Sequence, residues 1–148
     1  MTIVFPKRLT PPAKPGELLK GASAAQSRIS PEKGKVPDYL ALVRLLPCLY
    51  CGQEPAGEAA HVRLASAAFG KSSGLQKKPD DCWALPLCAS DHRNAKHAQH
   101  NRSEAEFWDA LGINPLRAAS ELWAARGDLV RMISIVHVII AARSKSRC

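Results

Sequence analysis

The residues with the clearest chemistry in this 148-residue chain are its cysteines and histidines. Cys48 and Cys51 are separated by two residues, a spacing that lets two thiolates reach one tetrahedral ion from a tight turn. Gly52 permits the positive φ that such a turn needs. Cys88 and His92 are four positions apart, so a helix would place both on one face. Three thiolates and one imidazole predict a structural zinc site.

The identity of the fourth zinc ligand is open in the sequence. Asp91 has the more usual knuckle spacing after Cys88 and is the alternative to His92, although a carboxylate is a harder donor than zinc generally takes beside thiolates. Cys82 is predicted to pack in the core, because free cysteines are often buried. The N-terminus carries no apolar signal segment, which favours a metal site over a secreted disulfide framework.

Three further histidines could serve a second metal site. His61 lies in a run that reads as a strand, and His97 and His100 follow His92 closely. A strand histidine together with helix histidines could hold a second ion. The alternative is that His97 and His100 are solvated loop residues.

The sequence pattern around these residues predicts an α+β protein with four regions. Residues 1–37 form a basic, Pro-rich arm that is predicted to be disordered. Residues 38–101 form a small zinc-stapled core, residues 102–142 a helical extension, and residues 143–148 a basic tail.

Start and stop signals define the elements in more detail. Asp38 and Pro47 bound a short helix, two strands cover residues 58–64 and 83–87, and a helix begins at residues 88–96. The helical extension contains helices at residues 103–111, 115–125 and 128–142, the first with a capping box from Ser103 to Glu106. Trp108 and Trp123 are predicted core residues. The last apolar run is too short to span a bilayer.

The net charge of +8 and the pI of about 9.5 suit a polyanionic partner. The excess lies at the two ends, because residues 41–127 are nearly neutral. Basic residues also surround the cysteine and histidine motifs, where they could contact phosphates or form a solvated loop: Arg63, Lys71, Lys77, Lys78 and Arg93.

Taken together, these motifs resemble the HNH (ββα-metal) endonucleases, especially phage and prophage members similar to the recombination-enhancement (Ref) nuclease group. The similar features are Cys-x2-Cys, Ala-His-Val-Arg, the Lys-Pro-Asp-Asp run ending at Asp81, and Leu-Pro-Leu-Cys-x3-His. They span residues 48–101, and the later Phe-Trp and Leu-Trp helices are similar to the helical tail of prophage relatives.

The resemblance implies a ββα-metal core and a catalytic site. His61 would be the general base, and Asp81 would replace the Asn that braces the loop in relatives. A catalytic divalent metal (Mg2+, Mn2+, Ni2+ or Zn2+) would be held by His97 or His100, together with His92 if Asp91 is the zinc ligand. Two positions depart from the family pattern, since Ala60 and Lys96 stand where relatives often have metal ligands.

The function expected from the resemblance is metal-dependent endonuclease activity on single- or double-stranded DNA. The protein would be phage- or prophage-encoded, would act in the bacterial cytoplasm away from membranes, and could work as a homodimer or with a recombination protein. The alternatives are a non-catalytic zinc-stabilised nucleic-acid-binding module and an interaction protein that uses zinc only for folding.

Overall fold

The computed structural model describes residues 37–72 and 78–143. The predictions for the basic arm before Pro37, for Lys77 and for the tail beyond Arg143 lie outside the described residues. Within these ranges the chain is an α+β protein, as predicted, with a two-stranded sheet and helices around it.

The two strands are antiparallel and form the centre of the protein. β1 (Glu58–His61) pairs with β2 (Ala84–Leu87), with Glu58 opposite Leu87 and His61 opposite Ala84. β2 is buried along its whole length. β1 ends earlier than predicted. The last backbone contact with the returning chain is the Val62 N–H donating to the carbonyl of Trp83 at 2.9 Å, and the N–H of Arg63 donates to the carboxylate of Glu104.

Four α-helices surround the sheet in the described residues, and their bounds agree closely with the sequence signals: α1 (Pro37–Leu45), α2 (Glu104–Leu111), α3 (Pro115–Ala124) and α4 (Leu129–Ala142). The side chains of Asn114 and Asp128 cap α3 and α4 by accepting backbone N–H groups. The predicted capping box at α2 is wrong, since Ser103 makes no side-chain cap hydrogen bond.

The segment after β2 differs most from the sequence prediction. Instead of a helix over residues 88–96, it contains a π-helical turn (Ser90–Asn94) and then a 3-10 turn (Gln99–Asn101). The side-chain amide of Asn101 donates to the carbonyls of Arg93 and Ala95 at 2.9 and 2.8 Å. Those carbonyls are therefore satisfied without a continuing helix.

The core is built around the sheet, and all four residues of β2 are buried in it. α1 packs on both strands, α3 packs on β2 and on the 3-10 turn before it (Asp81–Trp83), and α4 packs on α3. Trp108 and Trp123 are buried, as predicted. Cys82 is also buried and packs in the core, which confirms the prediction for this thiol.

α4 is the most apolar helix, although only part of it is covered. Met132 and Val136 are fully buried, whereas Val130 and Val138 are exposed. Its 14 residues correspond to a length of about 21 Å, short of the roughly 30 Å of a bilayer core. Among the residues that the structure describes, no helix has the length and apolar character needed to cross a membrane.

Candidate metal centre and histidine cluster

Three thiols and one carboxylate converge beside the end of β2. The ligand atoms of the thiol cluster (Cys48, Cys51, Cys88 and Asp91) all lie within 4.8 Å of one another. Asp91 Oδ2 lies 3.3 Å from Cys48 Sγ and 3.0 Å from Cys88 Sγ, and the sulfurs of Cys51 and Cys88 are 3.8 Å apart. Cys51 is exposed, while the other three residues are buried.

These separations fit a tetrahedral zinc ion. With Zn–S bonds of about 2.3 Å, two sulfurs on a tetrahedral ion are roughly 3.8 Å apart. With a Zn–O bond of about 2.0 Å, a sulfur and an oxygen are roughly 3.5 Å apart. The spacing between Cys51 and Cys88 matches the first value, and the distances to Asp91 are shorter than the second by a few tenths of an ångström. The cluster could therefore hold a metal ion such as zinc with only small side-chain shifts.

The turn that carries the first two thiols is shaped by its backbone. The N–H of Gly52 donates to the carbonyl of Cys48 at 2.8 Å, and Gly52 has φ +79°, a conformation that side chains disfavour. The N–H of Cys88 donates to Cys48 Sγ at 3.3 Å, which links the turn to the end of β2. Arg143, directly after α4, donates to the carbonyls of Leu49 and Tyr50 within the same turn.

Burial raises the pKa of the Cys48 thiol well above its ordinary value, although backbone N–H groups directed at the sulfur act in the opposite direction. Burial also raises the pKa of Cys88, and the adjacent Asp91 adds to the effect. Zinc coordinates thiolates, so a bound dication would reverse both shifts.

The fourth position of the thiol cluster belongs to Asp91, the alternative ligand, and not to His92. The imidazole of His92 is directed away from the thiols, with its Nδ1 2.6 Å from Glu58 Oε2. Glu58 lies on β1 and draws His92 toward the sheet, whereas the carboxylate of Asp91 is directed toward the sulfurs. His92 is thereby available for other chemistry.

A second group of polar residues, the histidine cluster, lies on β1, on the 3-10 turn before β2 and on the turns after β2: Glu58, His61, Asp81, His92 and His100. His61 Nε2 lies 2.8 Å from Asp81 Oδ1, which brings together the two residues predicted as catalytic. The side chain of Asp81 is 3% exposed and that of His61 is 15% exposed. Burial lowers the pKa of His61, while the hydrogen bond to Asp81 raises it in part.

His92 and His100 are the other imidazoles of this cluster. Their ring centroids are 4.5 Å apart in an edge-to-face arrangement. Arg93 donates to Glu58, the residue that holds His92 Nδ1, at 3.1 Å through Nε and also through its terminal nitrogen. Burial lowers the pKa of His100, and the neighbouring His92 and Arg63 lower it further.

Glu104 and Gln99 form a clamp that fixes the end of β1. Glu104, the first residue of α2, accepts the backbone N–H of Arg63 at 3.1 and 3.0 Å through its two oxygens. Gln99 Nε2 donates to Glu104 Oε1 at 2.7 Å and to the carbonyl of His61 at 3.4 Å. Since Gln99 directly precedes His100, the clamp holds that histidine and His61 in a fixed relation.

His97 and His100, the two sequence candidates for a catalytic metal, lie in different places. His97 Nε2 is 2.7 Å from Asp91 Oδ1, beside the thiol cluster, whereas His100 adjoins His92. The contributions of Glu58, Gln99 and Glu104 were not predicted. The only signal for Glu58 was its place at the start of the strand that carries His61, and the sequence held no signal for the other two.

The basic residues predicted to contact phosphates differ in their exposure to solvent. Lys71 is buried, 8% exposed, and its Nζ donates to the carbonyl of Leu64 at 2.7 Å, so its ammonium group braces the loop instead of facing solvent. The side chains of Lys78 and Arg93 are 61% and 57% exposed, and Arg63 is exposed as well. Lys78 Nζ lies 4.0 Å from Asp81 Oδ1, next to the histidine cluster.

No protein-family model matches this chain, and neither does any curated protein or solved structure. Its function is therefore inferred from the chemistry of the two clusters.

Proposed function

We propose that the protein is a metal-dependent endonuclease of the HNH type that hydrolyses phosphodiester bonds in DNA, with His61 as the general base. The observation that carries this proposal is a pair of carboxylate–imidazole contacts along β1, one at each end of the strand. Asp81 holds Nε2 of His61 at 2.8 Å, and Glu58 holds Nδ1 of His92 at 2.6 Å. Each carboxylate fixes one nitrogen and leaves the other available for chemistry.

The contact with Asp81 prepares His61 to accept a proton. An ionised carboxylate only accepts hydrogen bonds, so His61 carries its proton on Nε2 and presents the lone pair of Nδ1. Burial holds the pKa of His61 below the ordinary value of 6.5, and the imidazole is therefore neutral near pH 7. A neutral, oriented imidazole suits the activation of a water molecule for attack on phosphorus.

The contact with Glu58 prepares His92 to bind a metal ion. With Nδ1 of His92 donating to Glu58, the lone pair of Nε2 is free, an arrangement in which a carboxylate orients a metal-binding histidine. His100, with its ring 4.5 Å from that of His92, is the second ligand from this chain. A divalent cation bound there would supply Lewis-acid stabilisation of the negative charge that develops on the phosphate and the leaving oxygen.

The surroundings of the histidine cluster suit a phosphate backbone. Arg63, Lys78 and Arg93 are exposed cations close to it. Lys78 lowers the pKa of His61, and Arg63 and Arg93 lower that of His100, because each cation disfavours a further positive charge. The same field attracts a polyanion, in keeping with the net charge of +8.

The thiol cluster has a structural role in this proposal. Zinc bound to Cys48, Cys51, Cys88 and Asp91 would use four protein ligands and leave no open position for substrate. It would link the turn before β1 to the segment after β2, and so hold β1 and the π-helical turn together. His61 and His92 lie on these two elements.

The second candidate function is a zinc-stabilised nucleic-acid-binding module without catalysis. Ala60 favours it, because relatives often place a metal ligand at this position, whereas the Ala60 side chain is fully buried in the core. Lys96 likewise offers no metal-binding group. In this case the exposed cations would bind nucleic acid and the histidine cluster would be structural.

A plasmid-nicking assay separates the two functions. Wild-type protein is incubated with supercoiled DNA and Mg2+, Mn2+ or Ni2+, beside His61→Ala and a matched control, His137→Ala, which removes an exposed histidine from α4. We expect His61→Ala to lose roughly 10²- to 10⁴-fold in rate, the usual contribution of a general base, and His137→Ala to retain full activity. Equal nicking by all three proteins would exclude His61 as the base. DNA binding without cleavage in any metal would favour the module.

A further inference from the structure

His97 lies against the thiol cluster, where neither the general base nor the catalytic metal needs it. Its Nε2 is 2.7 Å from Asp91 Oδ1. Its ring stacks on Tyr50 with a centroid distance of 4.5 Å and an interplanar angle of 16°. Tyr50 lies between the first two cysteines in sequence and stacks in turn on Phe107 of α2 at 5.7 Å. The plane of the His97 ring is thus fixed by aromatic neighbours.

The two oxygens of Asp91 face different partners. Oδ2 is directed at the sulfurs of Cys48 and Cys88, while Oδ1 is directed at His97. Because an ionised carboxylate can only accept hydrogen bonds, the Nε2 of His97 is the donor. The side chain of Asp91 is 5% exposed, and this burial limits competition from bulk water for its oxygens. The carboxylate is therefore held in one orientation, with Oδ2 alone available to a metal.

We propose that His97 is the positioning residue of the zinc centre, which fixes Asp91 as a ligand through one oxygen and disperses its charge. This inference rests on the proposed binding of zinc by the thiol cluster, and it does not depend on nuclease activity. Three thiolates and a carboxylate carry more negative charge than Zn2+ neutralises, so a hydrogen bond to the remaining oxygen stabilises the centre. It also offsets the disadvantage of a hard donor beside three soft ones.

Cobalt substitution tests this role directly. Co2+ is titrated into the full-length protein after zinc removal, and the thiolate-to-cobalt charge-transfer absorption is followed, with Zn2+ competition to give the relative zinc affinity. A metal at His92 and His100 has no thiolate ligand and does not contribute to this absorption. We expect His97→Ala to weaken zinc binding by roughly 10- to 100-fold, the usual effect of losing a residue that orients a metal ligand.

Two variants distinguish positioning from other roles. We expect His97→Gln to recover part of the affinity, because its amide nitrogen can donate in place of Nε2. We expect His137→Ala, which removes an exposed histidine from α4, to bind zinc as the wild type does. Circular dichroism with excess zinc checks that each variant is folded.

The outcomes separate this inference from the proposals on which it rests. Unchanged zinc affinity in His97→Ala would overturn the positioning role while leaving the zinc site intact. The positioning role would also be overturned if the cobalt spectrum of His97→Ala showed one protein ligand fewer while the spectrum of Asp91→Asn was the same as that of the wild type. His97 would then itself be a metal ligand. Absence of charge-transfer absorption in the wild-type protein would refute the zinc site and this inference together, whatever the result of the nicking assay.

Discussion

The contact between Asp81 and His61 gives the sharpest test of the proposed catalytic site. Asp81→Asn keeps the size of the buried side chain and removes its negative charge. The amide can offer its oxygen to Nε2 of His61, which keeps the tautomer without the charge. It can also offer its nitrogen, which requires the proton to move to Nδ1 and leaves no lone pair facing the water. Either arrangement weakens the base.

The size of the effect has an upper bound. General-base catalysis contributes roughly 10²- to 10⁴-fold, or about 2.7–5.4 kcal/mol at 1.36 kcal/mol per decade. Asp81→Asn should lose a large part of this and approach the rate of His61→Ala. The charge of Asp81 also opposes the lowering of the His61 pKa by burial, so its removal lowers that pKa further. Activity requires neutral His61 and rises with pH through this pKa, so the acidic limb of the rate profile should move to lower pH.

The assay is the initial rate of plasmid nicking between about pH 5 and 9 at saturating divalent metal, a range that spans the ordinary histidine pKa. Wild type, Asp81→Asn and His61→Ala are compared, with circular dichroism as the check on folding. The expected result is a lower plateau for Asp81→Asn together with an acidic limb at lower pH. A plateau and a limb identical to those of the wild type would refute the reasoning, because the carboxylate would then have no influence on the base.

Three further predictions concern stability and reactivity. Cys48→Ser should bind less zinc and should melt at a lower temperature, because structural zinc contributes roughly 10 kcal/mol or more to folding in small zinc domains. A melting curve that changed neither with this substitution nor with a chelator would contradict the structural role of the metal. Glu104→Ala removes the acceptor of the Arg63 N–H and should lower the free energy of unfolding, measured by chemical denaturation, by about 1–3 kcal/mol. Glu106→Ala, at an exposed position in the same helix, should leave this free energy nearly unchanged. Equal losses in the two variants would argue against the clamp. Burial raises the pKa of the Cys82 thiol to about 11. Iodoacetamide at pH 8 should therefore modify Cys82 in the unfolded protein and spare it in the native protein. If mass spectrometry found Cys82 rapidly alkylated in the native protein, the thiol would be accessible and the prediction would be wrong.

Much of the secondary structure could be predicted, because its signals are local. Asp128 before an apolar run and Gly112 after one are start and stop signals that act within a single turn of helix. The segment after Cys88 could not be predicted in the same way. Its irregular turns depend on the side chain of Asn101, which binds carbonyls six and eight residues earlier, and helix propensity says nothing about such a contact.

The sequence by itself indicated the three cysteines of the candidate metal site and the histidine and aspartate of the proposed catalytic base. Cys48 and Cys51 are close in any fold because two residues separate them, and a pair of antiparallel strands brings His61 near the turn that carries Asp81. The tertiary structure alone decided whether Asp91 or His92 faces the thiols. Both follow Cys88 closely, and the choice depends on Glu58, more than thirty residues earlier, which holds the imidazole of His92 on the other side of the segment. Spacing identifies the residues that can reach a site, whereas the packing of distant elements decides which of them do.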